Sequence, residues 1–384
     1  MHVGLFLDAF YPPVDGVVNV VEAYAQRLSA KCSITVFAPY ARDLSPDFDE
    51  RFPFRVVRCK SIMKKTHTYP QAMPWIDKEY RDAMAASKLD LVHIHSAYPI
   101  GLFGTRLAKK MGIPLVGTLH SDFRPDVYEL MGRLAGEAMV KFLMNEYNSC
   151  NECWVASEGV GRKFVEEYGL KSPVRVVPLS TDHFPVADVA AARQEINALY
   201  GLEDDVFVMA HVGRQDLQKR EDFILQSLKL LKDKGKRFKM LFVGDGSKHG
   251  YLKSLCSSLG LDDEVIFCGA VNDKDRLMKM YSRTDLLLFP SISDTFGLVK
   301  VEAACQKTPT LFVKGTLASE GVRNNVDGFT CYEGHEAFAS RIAKLMDNPA
   351  LLATVGEGAF RSLYHTWDQV VDEVFDNYCR LLGK

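Results

Sequence analysis

The feature that most limits what this chain can become is a recurring unit: a short unbroken apolar run, a stretch of helical periodicity, then another run. Apolar runs fall at His2–Leu7, Ile34–Ala38, Phe54–Val57, Leu91–His95, Leu115–Leu119, Cys153–Ala156 and Val174–Val177. Helical patterns such as Val18–Ser29, Gly101–Met111 and Val127–Tyr147 separate most of them. A run that is apolar at nearly every position is buried on both faces, as a strand is in a parallel sheet covered by helices. The pattern restarts at Val206–Val212 and continues through Lys239–Val243, Val265–Cys268, Leu286–Phe289 and Thr310–Phe312. Two Rossmann-like α/β halves are therefore expected. Between them, 178–190 (PLSTDHFPVADVA) loses the periodicity and carries two prolines and a Ser-Thr-Asp cluster, the marks of a linker. The 384 residues suffice for two domains of about 150–200 residues each.

Composition removes several classes. The formal net charge of −2 gives no footing for a nucleic-acid binder. No apolar run approaches the roughly 20 residues that span a bilayer. The opening MHVGLFLDAFYPP has no basic leader and turns polar at Asp8, so it reads as a first strand. Nine scattered cysteines fit free thiols in a reducing cytoplasm. Cys150 and Cys153 form a lone CxxC with no companion pair or histidine cluster, which reads as chance spacing and not as a metal or redox site. No metal-ligand cluster is found elsewhere.

The chemistry concentrates in Ser291–Pro309, SISDTFGLVKVEAACQKTP. It follows the run Leu286–Phe289, turns at Asp294–Gly297 and enters a helix. Gly297 lets backbone approach a ligand, and the amides of Gly297, Leu298 and Val299 would sit unpaired in the first turn, aimed at an anion. Asp294 and Glu302 are eight positions apart, a little over two turns, and are expected on roughly one face. Such a stretch suits a sugar nucleotide: amides on the diphosphate, Asp294 on sugar hydroxyls, Glu302 on the ribose diol. Phe296 lies between the two features.

This stretch resembles the acid-x7-acid signature of the retaining GT-B glycosyltransferases of family 4, which commonly carry Glu where this chain has Asp294. The resemblance extends over nearly the whole chain. It implies a GT-B fold, two Rossmann-like domains facing across a cleft: residues 1–183 with a returning helix 366–384, which holds the acceptor, and residues 184–365, which bind the donor. Further motifs fit the family. Gly213-Arg214 followed by Lys219 closes a strand, where a guanidinium fork and a point charge can clamp a diphosphate and stabilise its developing charge. Relatives often place Gly after this Lys, whereas Arg220 and Glu221 follow here. Gly16, after the first strand, is by itself better explained by turn chemistry, and what raises it is its likeness to the family's Gly loop facing the donor. His120 ends the run Leu115–Leu119 and is implied to contact the donor sugar near the reacting carbon. His93 and His95 read as structural. Val271 is implied to read the base through its backbone. Asp245 in Val243-Gly-Asp-Gly and the late turn Asn324–Phe329 read as turn chemistry. Lys307 stands where relatives often have Gly.

Arg51, Arg55, Arg58, Lys60, Lys64 and Lys65 fall within fifteen residues without an acid, and Lys109 and Lys110 add a second basic patch. With Leu130, Met131, Leu134, Met139, Phe142 and Leu143 of Val127–Tyr147, they could dock on anionic lipid. A solvated charge run and an inward-packed helix are the competing reading.

The resemblance implies a hexosyltransferase that retains anomeric configuration and needs no metal and no cofactor, the nucleotide-sugar donor being its co-substrate. Catalytic candidates are His120, Asp294, Arg214 and Lys219. The donor candidates are Gly16, Arg214, Lys219, Val271, Asp294, Phe296, Gly297, Leu298, Val299 and Glu302. In the family the leaving phosphate is thought to receive the acceptor proton as the acceptor attacks from the same face. The Asp8-Ala-Phe-Tyr-Pro-Pro and Gly117-Thr-Leu-His120 segments look most like bacterial lipid glycosyltransferases. A UDP-glucose or UDP-galactose donor and a diacylglycerol-type acceptor are implied by that likeness, with a cytoplasmic enzyme peripheral on the membrane. A capsular or exopolysaccharide glycosyltransferase is the enzymatic alternative, and a sugar-nucleotide-binding protein without turnover the non-enzymatic one.

Overall fold

A computed structural model of the chain describes residues 1–11, 16–41, 44–45, 47–62, 70–292 and 294–384. The chain divides into two compact units, Met1–Leu179 with Trp367–Lys384, and Ser180–Thr366.

The first unit holds β1 (His2–Phe6), β2 (Ser33–Pro39), β3 (Arg55–Cys59), a short antiparallel pair β4 (Ser61–Ile62) and β5 (Gln71–Ala72), then β6 (Leu91–Ile94), β7 (Leu115–Leu119), β8 (Glu152–Val155) and β9 (Val174–Val176). Its main sheet runs β3-β2-β1-β6-β7-β8-β9, with every pair parallel. The order reverses between β1 and β6, where Val3 pairs with Leu91. Val3, Leu5, Val36 and Leu91 on one face of this sheet and Phe6, Phe37, Val92 and Ile94 on the other are all buried, which is why these runs are apolar throughout. The last helix, Trp367–Leu381, packs Val370, Val371, Val374 and Tyr378 into this core. Arg27 pairs with Asp368, Lys31 with Asp372, and Arg380 with Glu152.

The second unit holds β10 (Phe207–Val212), β11 (Phe238–Val243), β12 (Val265–Gly269), β13 (Leu286–Phe289), β14 (Thr310–Val313) and β15 (Phe329–Cys331), in the order β12-β11-β10-β13-β14-β15. All pairs are again parallel, and the order reverses between β10 and β13, where Met209 meets Leu286. In open sheets of this kind ligands gather beyond the carboxyl ends of the strands at the reversal. Each unit therefore has one edge suited to a ligand: after β1, β6 and β7 in the first, after β10 and β13 in the second.

Three expectations need correction. The single helix expected over Val127–Tyr147 is two, Arg124–Met131 and Arg133–Tyr147. Gly132 between them takes φ 74° and ψ 164°, a conformation a side chain would strain, so the apolar periodicity continues while the helix does not. Asp294 and Glu302 do not share a helix face, because the helix begins at Leu298 and Asp294 lies in the turn before it. Arg58 does not belong to a solvated basic face. It is bidentate to Asp49 and also donates to the carbonyls of Phe10, Tyr11 and Pro39. Lys64 and Lys65 lie outside the described residues, as does Ser293 of the signature stretch.

Candidate active site

The edge of the second unit is ionic. Lys219 ends the short helical turn after β10, and Asp294 lies in the turn after β13. They are 75 residues apart in sequence, yet the Lys219 Nζ stands 2.7 Å from Asp294 Oδ1. The parallel pairing of β10 with β13 makes them neighbours. Asp294 Oδ2 is buried without a hydrogen-bond partner among the described residues. Nearby atoms share that condition: His211 Nε2, Gln215 Nε2, Arg220 Nη1 and Glu221 Oε1. Buried polar groups are normally satisfied, so orphans gathered along one strand-end segment mark a place built for polar partners.

Gly297 precedes the helix Leu298–Cys305 with φ 74°, and a β-carbon there would come within 2.8 Å of the Phe289 ring. Only glycine permits that turn, and the turn aims the first helical amides, including those of Leu298 and Val299, outward from the strand end. The helix offers these amides no internal acceptor, and its dipole adds positive potential. Phe296 lies under the Lys300 ammonium at 4.2 Å. Glu302, one turn further, accepts a 2.9 Å bond from the Tyr281 hydroxyl, and His183 Nε2 stands 3.8 Å from its other oxygen. Burial raises its carboxyl above the usual range.

Arg214 is not gathered into this cluster. It pairs with Asp216 at 2.9 Å, and its side chain is 68 % exposed. Its loop is nonetheless fixed, because Gly213 N donates to Val243 O and Gln215 N to Asp245 O, each at 3.0 Å. The turn containing Asp245 is thus the support of the Arg214 loop. Val271 packs partly buried against the core around Leu287 and Ala303. Arg220 adopts φ 61° where relatives often carry glycine, stacks on Phe223 and pairs with Glu333. Lys307 likewise occupies the left-handed region at φ 58° and pairs with Glu357.

The edge of the first unit is different. Gly16 is the first residue of the helix Gly16–Leu28, and the loop preceding it, residues 12–15, lies outside the described residues. His120, just past β7, has its Nε2 3.0 Å from His95 Nδ1. Asp8, just past β1, accepts from Ser96 Oγ at 2.6 Å and from the amide of Ile100 at 2.8 Å, tying β1 to the helix Pro99–Met111. Burial pushes the Asp8 carboxyl up to about 6.

Sequence reasoning passed over three buried polar groups of the second unit. Lys300 is buried and donates to Ala318 O at 3.0 Å, and desolvation lowers its ammonium to about 8. A lysine inside the apolar run Leu298–Val301 was the available signal. Glu221 and His211 face each other at 3.7 Å, both buried. Burial raises Glu221 to about 7 and lowers His211 to about 4. Cys150 and Cys153 are buried, all nine cysteines are free thiols, and no metal-holding group of side chains occurs among the described residues.

Two reversal-point edges on two parallel α/β units define a class. A solved structure of Anabaena HepE in complex with UDP-glucose matches 99 % of this chain and 100 % of its own, with a TM-score of 0.77 at 18 % identity. The fold is that of the GT-B glycosyltransferases. Residues 14–183 match the family model for Glycosyltransferase Family 4, and residues 192–362 that for Glycosyl transferases group 1. The chain belongs to this glycosyltransferase family and is a glycosyltransferase. An alpha-monoglucosyldiacylglycerol synthase from Streptococcus pneumoniae is 22 % identical over 362 residues, covering 91 % of this chain and 79 % of that protein. A D-inositol 3-phosphate glycosyltransferase from Acidothermus cellulolyticus is 30 % identical over 309 residues, 74 % of this chain and 66 % of that protein.

Proposed function

We propose that the protein transfers a hexose from a UDP-sugar, UDP-glucose or UDP-galactose, to a diacylglycerol-type lipid with retention of configuration and without a metal. The observation that carries the donor half is Lys219 held beside Asp294 at the β10–β13 reversal, next to the outward amides of the helix Leu298–Cys305. A diphosphate would take Lys219 and those amides as donors, and the charge that grows on it as the sugar departs would be stabilised there. Arg214, exposed on its fixed loop, would close on the same phosphates. Glu302 would accept from the ribose diol, Asp294 from sugar hydroxyls, and His120 would meet the sugar near its reacting carbon. Gly16 would allow close approach at its helix start, and Val271 would read the base through its backbone. The bond from the anomeric carbon to the phosphate oxygen breaks, the bond to the acceptor oxygen forms on the same face, and the acceptor proton passes to the leaving phosphate.

The lipid half draws on the likeness to the diacylglycerol synthase and on the elbow at Gly132. Leu130 is 76 % and Leu134 93 % exposed, with Met131 and Phe142 also open to solvent. No helix among the described residues is long and apolar enough to cross a membrane. Such an elbow suits insertion into a bilayer surface. A soluble hydroxylated acceptor is the second reading, favoured by the higher identity to the inositol-phosphate enzyme.

The test is UDP release from UDP-glucose with and without diacylglycerol in phosphatidylglycerol vesicles, each with and without EDTA. Release that requires the lipid and is unchanged by EDTA is expected. Release stimulated only by a soluble polyol or oligosaccharide would move the acceptor to the second class, and no release from any nucleotide sugar would leave a binding protein. Flotation with the same vesicles should succeed for the wild type and fail for Leu134→Glu.

A further inference from the structure

Three histidines are stacked beneath the carboxyl edge of the first unit's sheet, and two of them are fully enclosed. His93 is a satisfied core residue: Nδ1 meets the Tyr378 hydroxyl and Nε2 the Thr118 hydroxyl, both at 2.6 Å. Its ring packs on His95 with centroids 4.1 Å apart. His95 is equally buried, at 3 % exposure, but its bonding is lopsided. Its Nδ1 lies 3.0 Å from His120 Nε2, while its Nε2 is buried with no hydrogen-bond partner among the described residues. The ring edge faces Tyr24 at 6.0 Å between centroids.

Burial holds both His93 and His95 well below the usual imidazole range, so both are neutral. A neutral imidazole carries one donor and one acceptor. In either tautomer His95 therefore leaves one polar atom unsatisfied in the core, which costs stability. A phenylalanine would fill the same space without that cost. What it could not supply is the bond to His120.

We infer that His95 is a positioning residue, whose Nδ1 holds the His120 ring in one orientation and one tautomer at the end of β7. The inference rests on the reading that His120 serves the donor sugar. His95 follows β6 as His120 follows β7, and the two strands pair; its amide donates to Phe6 O at 2.8 Å and its ring is buried against His93 and Tyr24, which holds it rigid. A bond from a rigid neighbour limits the turn of the His120 ring about its side-chain bonds and favours one tautomer, and small misplacements at a reacting centre are costly in rate.

The geometry dictates the variants. The amide of an asparagine falls where Nδ1 lies, and that of a glutamine falls near Nε2. His95→Phe, His95→Asn, His95→Gln and His120→Ala are compared in the full-length protein. Three readouts are taken: melting temperature, UDP release from UDP-glucose with diacylglycerol vesicles, and imidazole nitrogen resonances of protein labelled with 15N-histidine. His95→Phe should melt at or above the wild type while kcat falls at least about tenfold with KM for UDP-glucose nearly unchanged. His95→Asn should return to within about threefold of wild type, and His95→Gln should not. In the unliganded protein the His120 nitrogens should report one tautomer, and in His95→Phe their resonances should shift toward those of the other. Full turnover in His95→Phe, or equal rescue by asparagine and glutamine, with His120→Ala inactive, would overturn the inference. Full activity in His120→Ala would instead sink the role of His120. The spectra then decide alone, and unchanged His120 resonances in His95→Phe would count against positioning.

Discussion

The two units reverse their strand order in the same way and equip the resulting edges in opposite ways. In the second, opposite charges meet at the edge: Lys219 with Asp294, Arg214 with Asp216, and Arg220 with Glu333. In the first, the groups beyond β6 and β7 are imidazoles, and the carboxyl of Asp8 is occupied by amides and a hydroxyl. An edge of ion-paired cations and first-turn amides suits a ligand that arrives with charge. An edge backed by the buried, neutral rings of His93 and His95 suits orientation of a neutral group. The same topology is thus equipped in two ways, and the difference lies in which side chains the strand ends carry.

The sharpest way to break this contrast is to remove the charge from the ionic edge. Lys219→Ala should lower kcat on UDP-glucose by roughly a hundredfold or more, the scale of losing a preorganised donor to a developing anion. The fold should survive, because Lys219 is partly exposed and its partner Asp294 lies in a turn. A variant with wild-type turnover would put the diphosphate elsewhere. Glu302→Gln should act on binding more than chemistry, raising KM for the donor about tenfold with a small change in kcat, because Tyr281 can still donate to the amide oxygen. Equal losses in kcat and kcat/KM would instead place Glu302 at the reacting centre.

Salt separates the two edges directly. Between about 0.05 and 0.5 M NaCl the donor KM of the wild type should rise severalfold, as screening weakens a partly exposed ionic site. The deficit of His120→Ala relative to wild type should vary less over that range, since the ring is bonded to the buried, neutral His95. A salt-independent KM would mean that the cations contribute little to holding the donor.

Much of this division was legible in the residues and some was not. The long apolar runs located both sheets, because a strand covered on both faces has no polar positions to confuse the reading. Strand β15 escaped because only Phe329 of its three residues is fully buried. The break at Gly132 escaped because a left-handed glycine leaves the apolar spacing intact on either side. The acid and amides of Ser291–Pro309 announced themselves through local spacing, but Lys219 and Asp294 became partners only through strand pairing. His95 read as structural for the same reason: its burial follows from the apolar run Leu91–His95, whereas its lopsided bonding depends on His120, just past the neighbouring strand. Charge runs misled where a cation points inward, as Arg58 does.

The smallest effect lies beneath the ionic edge, in Glu221. Its carboxyl is buried beside His211, with Asp216, Asp222 and Lys219 as its charged neighbours, and burial raises it from an ordinary 4.5 to about 7. Below pH 4.5 the folded and unfolded chains both hold this proton. As the pH rises from 4.5 to 7 the unfolded chain releases it while the folded protein keeps it. This group's support for folding therefore declines across that window and is gone above it. Glu221→Gln removes the dependence, so the stability difference between variant and wild type should open in the variant's favour from pH 4.5 to 7 and stay level beyond. His211 is lowered to about 4, and its own contribution, lost as the pH falls from 6.5 toward 4, is common to both proteins and cancels in the difference. Urea unfolding at intervals across this range measures it. A difference that does not vary with pH would mean that the Glu221 carboxyl is ionised in the folded protein, and that the ionic character of this edge reaches one layer deeper than its exposed pairs.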